Sequence, residues 1–134
     1  MKKLTGLLLL IIILAVACDK KSDSTKDEYS NSLKLGTGMN ASNFTLTGEG
    51  TVFQKQTAIY FRLESKDDMA GSDVRISVTK TGTSSVENHD YPSVQSYGHI
   101  TMSAFSVTDP GSYTATGILL TGNKTIATIG FTVQ

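Results

Sequence analysis

Four groups of residues in this chain are of types that carry chemistry, and each points to a different one. Cys18 is the only cysteine among 134 residues; a lone thiol is open to modification but has no partner for an internal disulfide. Glu64, Lys66, Asp67, Asp68 and Asp73 surround the turn at Met69–Ser72, and carboxylates on one loop suit calcium, which takes about six to eight oxygens. Their spacing matches no EF-hand loop, and Lys66 and Arg75 stand near enough to neutralise neighbours, so a solvated connection between two strands is the expectation. The stretch from Asn88-His89-Asp90-Tyr91-Pro92 to Tyr97-Gly98-His99 holds both histidines and two of the five tyrosines. His89, Asp90 and His99 fall short of a zinc set at any recognised ligand spacing. The stretch reads as a long connecting loop, with His89, Tyr91, Tyr97 and His99 as its candidate contact residues. The fourth group, Asp109-Pro110-Gly111-Ser112-Tyr113, has the form D-x-G-x-Y and stands just before the strand-like run TATGILL.

Other chemistry finds no residues to work with. A serine nucleophile needs an orienting histidine, and no G-x-S-x-G elbow is present. A glycosidase needs two carboxylates facing each other across a cleft, which a domain this small rarely builds. No enzyme activity, cofactor or metal is expected. Lys2 and Lys3 belong to the amino-terminal segment; without them ten Lys/Arg stand against twelve Asp/Glu, a balance of 10 − 12 = −2. Such a chain offers no basic stripe to phosphates, so nucleic acid is not an expected partner.

The elements that place these residues begin with residues 1–17. Met1-Lys2-Lys3 supplies a positive start, Leu7 to Ala17 is an apolar run of eleven residues, and Ala15-Val16-Ala17 precedes Cys18 as a small-residue cleavage site. This is the layout of a secretory signal peptide. As a helix the run spans only ~16 Å, against roughly 30 Å of hydrocarbon, too little for a stable membrane span. The cysteine directly after it makes the segment resemble the signal of a bacterial lipoprotein, although the usual leucine three residues before the cysteine is replaced by Ala15. The resemblance implies that Cys18 is acylated, becomes the first mature residue and tethers the chain to the bacterial envelope, with the outer membrane favoured over the inner. The rival is a simple secretory signal cut near Ala17, which leaves a free thiol.

Residues 18–32 are expected to form the lipidated cysteine and a flexible tether, because DKKSDSTKDEYSNS contains one aromatic and no aliphatic residue. From Leu33 the pattern changes to a period of two. Ile59, Phe61 and Leu63, then Val74, Ile76 and Val78, then Ile129, Phe131 and Val133 each alternate with polar or small neighbours. One apolar face and one Thr/Ser-rich face predict half-buried antiparallel strands, separated by Gly48-Glu49-Gly50, Ala70-Gly71-Ser72, Asp109-Pro110-Gly111 and Thr121-Gly122-Asn123. Seven strands are expected near 33–36, 43–47, 57–64, 73–80, 98–107, 112–120 and 125–133. In the fifth, Ile100 and Met102 differ in parity from Phe105 and Val107, which calls for a bulge near Ser103–Ala104 or a switch of sheets. The prediction for 33–134 is one all-β domain, an antiparallel sandwich.

With the strands in place, D-P-G-S-Y resembles the tyrosine corner of the immunoglobulin-like superfamily. There a tyrosine near the start of the sixth strand returns its hydroxyl to the backbone of the preceding corner. The resemblance implies that Tyr113 fills core space and bonds backward, that Gly111 permits the turn, and that Asp109 bonds the turn amides. Ala115 stands where the antibody-type cysteine would be and no Trp is present, so the core is of a cysteine-free kind. The expected function is a lipid-anchored, non-catalytic binding or interaction module with a protein or glycan partner. The alternative is a structural or accessory subunit that pairs through a sheet edge, with the last strand, ending at Gln134, as the candidate edge.

Overall fold

Alternating apolar and hydroxyl side chains give each segment one face to bury, and paired backbones satisfy the polar groups that burial would otherwise strand. The computed structural model describes residues 28–92 and 96–134. Cys18, the rest of the signal segment, tether residues 19–27 and the side chain of Tyr97 lie outside the described residues. The first six strands are β1 Ser32–Gly36, β2 Gly38–Asn40, β3 Thr45–Thr47, β4 Val52–Phe53, β5 Ala58–Glu64 and β6 Val74–Lys80. They are followed by β7 Val86–Tyr91, β8 Ser96–Tyr97, β9 Ile100–Ser106, β10 Gly111–Leu119 and β11 Lys124–Val133.

One sheet has the order β1-β5-β9-β8 and the other β4-β11-β10-β6-β7, while β2 and β3 form a separate hairpin. Every pairing is antiparallel except that of β4 with β11. This is the strand order of an immunoglobulin-like sandwich, ABED in one sheet and GFC with an added strand at each edge, β4 and β7, in the other. The all-β sandwich read from the period-two pattern is the fold of the described residues.

The core lies between the sheets. Leu33, Leu35, Ile59, Phe61 and Leu63 of the first meet Val74, Ile76, Val78, Ala115, Leu119 and Val133 of the second, all nearly inaccessible to solvent. Burying each large side chain of this kind contributes roughly 1.5–3 kcal/mol. Phe131 joins the sheets through ring contacts with Phe105 at 5.9 Å, Tyr113 at 5.5 Å and Phe53 at 6.2 Å. Gly117 faces Leu63 so closely that a Cβ there would lie 2.5 Å from a Leu63 methyl, and the missing side chain is what lets Leu63 fill that place.

Several expectations are corrected. The strand expected at 43–47 is shortened to β3 and belongs to the small hairpin, because Phe44 takes a left-handed φ of 55° and breaks the extended run. Residues 88–99 are not one long loop. Val86–Tyr91 forms β7 along β6, and polar Glu87 and His89 on its inward face with Val86 on its outward face hid the alternation from composition. The bulge expected near Ser103–Ala104 is absent, since β9 pairs with β5 in unbroken register from Ala58–Ser106 to Glu64–Ile100. Ile100 and Met102 instead occupy the sheet face turned away from the main core, opposite Glu64 and Arg62, where they are still buried. The register shift falls between Gly117 and Ile118, on the β10–β11 pair.

Thr101, on the core side of β9 opposite Leu63, is 1% exposed, and its hydroxyl has no hydrogen-bond partner among the described residues. Replacing an orphaned buried hydroxyl by a methyl of the same shape removes a desolvation cost. Thr101→Val is therefore expected to stabilise the domain by about 1 kcal/mol, a rise of about 4–8 °C in melting temperature for a domain of this size. An unchanged or lower melting temperature by calorimetry would show that the hydroxyl is satisfied.

Candidate functional site

The residues singled out by the sequence fall into three places. At the corner before β10, the Tyr113 hydroxyl donates to the backbone carbonyl of Asp109 at 2.8 Å. The ring is buried and stacks on Phe131 with 20° between the planes. Gly111 has a φ of 149°, and a Cβ there would come within 2.9 Å of the Lys80 side chain. The ammonium of Lys80 stands 5.8 Å from the centre of the Tyr113 ring, within cation–π range. Asp109, Gly111 and Tyr113 thus come together as a tyrosine corner. Asp109 contributes its carbonyl and not its carboxylate, which makes no hydrogen bond among the described residues. The corner shapes the fold and holds no reactive group.

The second place is the end of the sandwich where β1 begins. Among the described residues, contacts with the sandwich are made from Tyr29 on, four residues before the expected domain start at 33. The Tyr29 ring stacks on His99 at 4.2 Å, nearly parallel. The Ser30 amide donates to Glu64 Oε1 at 2.7 Å, and Asn31 Oδ1 accepts from the amide of Lys66 at 2.9 Å. Nδ1 of His99 lies 2.9 Å from the carbonyl of Ser65, which can only accept, so this nitrogen carries the proton. Burial opposes ionisation of Glu64, but the Ser30 amide and the Arg62 guanidinium, 2.5 Å away, outweigh it and hold the carboxyl below the usual range.

The acidic turn lies at the same end, and each carboxylate has its own occupation. Asp67 pairs with Lys124, whose hydrogen bond holds its pKa down. Asp68 accepts from the amide of Ala70 at 2.8 Å, and Met69 plugs the end of the core with no exposure at all. Among the described residues no three His, Cys, Asp or Glu side chains converge on a point where a metal ion could sit.

The third place is β7. Glu87, His89 and Tyr91 stand opposite Val78, Ile76 and Val74, and so share the inner face of the sheet with the core. The Tyr91 ring meets Phe61 edge-on at 5.0 Å, and its hydroxyl donates to the carbonyl of Ala104 at 2.9 Å. Burial pushes its pKa up to about 12. His89 stacks on Phe105 at 5.5 Å, with Nε2 enclosed 3.2 Å from Glu87 Oε1 but off the line of a hydrogen bond. On the outer face Arg75 holds Asp90 through two bonds of 2.7 and 2.8 Å. The four residues expected to share one contact loop are therefore divided: His89 and Tyr91 serve the inner face of an edge strand, while His99 fastens the chain ahead of β1.

Two features carried no signal in the sequence. One is the backbone edge of β7, which no described strand covers. The other is a concavity of about 430 Å³ at the end of the sandwich opposite Tyr29, where Thr37, Val52, Gln54, Thr57 and Tyr60 meet Gln134. It is made from chain segments far apart in sequence, so no local motif announces it. The last strand does not supply the expected edge at its end, since β4 pairs with Thr132 and Val133 there. Compared with known proteins, the chain matches no protein-family model and no curated protein.

Two outcomes are expected. Tyr113→Phe leaves the Asp109 carbonyl without its donor and costs about 1–3 kcal/mol of stability, read as a lower denaturant midpoint; an unchanged midpoint would remove the corner from the account. Because the Tyr91 phenol is held neutral above its unfolded pKa of 10.0 and up to about 12, the unfolded chain loses that proton first as pH rises. Stability must then fall between these two values, and the fall should be shallower in Tyr91→Phe. Identical slopes for the two proteins in alkaline unfolding curves would refute the assignment.

Proposed function

We propose that the protein is a lipid-anchored, non-catalytic binding or interaction module of a bacterial cell envelope, held through Cys18. The observation that carries this reading is the order of residues at the amino terminus, where a basic start, an apolar run too short to span and Ala15-Val16-Ala17 lead to a single cysteine. A polar segment and then a self-contained sandwich follow it. One acyl chain holds a protein only marginally, whereas the two or three implied by the lipoprotein resemblance make a lasting anchor. Support for a binding role comes from the sandwich itself, whose described carboxylates at the acidic turn are spent on structure and whose far end carries the 430 Å³ concavity. The outer membrane is the favoured site, and a protein or a glycan the expected partner.

A second reading, a structural or accessory subunit joined through a sheet edge, is favoured by β7. It is the longest of the strands that end the two sheets, and an uncovered edge is a template for another strand.

Intact-mass analysis of the full chain expressed in a bacterium tests the anchor. The wild type should begin at Cys18 and carry a diacylglyceryl mass, which Cys18→Ser should lack. An unmodified thiol at a mature terminus would overturn the anchor. Capture from solubilised envelopes with the full chain tests the binding role, and recovery of nothing beyond a denatured control would count against it.

A further inference from the structure

We infer that β7 is a self-pairing edge: two copies of the chain join antiparallel along Val86–Tyr91, with Asn88 opposite Asn88, and extend the five-stranded sheet into one of ten strands. This rests on the second reading above and names the partner for it.

The direction of the backbone fixes which groups are free. The amide of Lys80 donates to the carbonyl of Ser85 at 3.3 Å, so Lys80 points its polar groups toward β7. Val78, Ile76 and Val74 share its parity, and they stand opposite Glu87, His89 and Tyr91. These three residues of β7 therefore bond inward, and the amides and carbonyls of Val86, Asn88 and Asp90 point outward, where no described strand meets them. Val86 is 54% exposed. Asp90, the charge that would most discourage a neighbour on the outer face, is already neutralised by Arg75.

Only some registers put outward groups against outward groups. Val86, Asn88 and Asp90 must then oppose one another in some combination. A two-fold between Val86 and Asn88 sets Glu87 against Glu87, and one through Asp90 sets Asp90 against Asp90, both like-charge contacts that destabilise a strand pair. A two-fold between Asn88 and Asp90 sets His89 against His89 and Asn88 against Asp90, and a two-fold through Val86 leaves most of the strand unpaired. The two-fold through Asn88 pairs Val86 with Asp90 twice and Asn88 with itself, about six ladder hydrogen bonds in all. On the inner face it places each Glu87 directly opposite His89 of the second copy, in the closely approached non-hydrogen-bonded positions where cross-strand pairs interact most. Acid meets imidazole at both symmetric contacts. On the outer face two amides meet, each able to donate and to accept. This complementarity selects a second copy over an unrelated extended peptide as the occupant. The axis stands perpendicular to the sheet, so the two Tyr29 ends lie at opposite ends of the paired sheet. Copies held in one membrane would then lie with their strands along its plane.

The test uses the full acylated chain in detergent micelles. In the antiparallel ladder the two Asn88 Cα atoms lie about 5.5 Å apart, within disulfide range. Oxidised Asn88→Cys should therefore give a covalent dimer, while Thr116→Cys, on the outer face of the central strand, should not. Asn88→Pro removes only an outward amide and is tolerated in an edge strand; it should abolish the dimer in sedimentation runs while the melting temperature holds. Glu87→Lys should weaken the dimer roughly tenfold, two symmetric pairs being affected, while Glu87→Gln should weaken it less. A wild type that sediments as a monomer at every concentration overturns the inference, as does a dimer indifferent to Asn88→Pro, or capture of a different protein on β7 without self-association. None of these outcomes touches the Cys18 acylation result, so failure here and failure of the anchor are told apart.

Discussion

Phe131 lies at the middle of a line of rings that crosses from one sheet to the other, and the sandwich depends on that line. Tyr113 stacks beside it on the neighbouring strand, Phe105 meets it from the facing sheet at 5.9 Å, Phe53 closes one flank, and His89 continues the series beyond Phe105. In antibody domains a disulfide and a tryptophan do this work. Here Ala115 occupies the cysteine position and there is no Trp, so cohesion between the sheets comes from packed side chains. That constraint reaches outward: Tyr113 must be turned by its corner to reach Phe131, and His89 must face inward from an edge strand to meet Phe105.

Much of this architecture was legible in the residues. The three runs centred on Phe61, Ile76 and Phe131 alternate cleanly because their strands bury one face each, and turn residues marked the gaps between them. D-P-G-S-Y disclosed the corner because its glycine and tyrosine answer separate physical needs, a φ of 149° and a buried ring with an acceptor for its hydroxyl. Where the reading went astray, the reason is visible in particular residues. Val86-Glu87-Asn88-His89-Asp90-Tyr91 has too few apolar residues to look like a strand, yet Tyr91 and His89 are amphipathic enough to line the inside while the backbone pairs with β6. Ile100 and Met102 broke the parity of β9 because the sheet has apolar residues on both faces there, a possibility that a one-core picture omits.

The candidate functional features were less legible, for a physical reason. A motif is local, whereas the edge of β7 exists only because no described strand follows it in the sheet, and the concavity near Gln134 exists only where β1 and β4 finish beside the start of β5. Three of the described titratable residues singled out by the sequence make contacts that hold the fold. Asp67 holds Lys124, Asp68 shapes a turn, and His99 clasps Tyr29.

The chain reaches the sandwich at Tyr29, beside Glu64 and His99, and Gln134 stands at the other end, where its carbonyl accepts from the amide of Lys55. Tension applied between these points would run along β1 and β11 and not across them. Each strand would have to slide past its neighbour, β5 or β10, with the rungs of the ladder loaded together instead of peeling one after another. Pulling between these two points therefore meets shear across the ladders and not the sequential opening of single rungs.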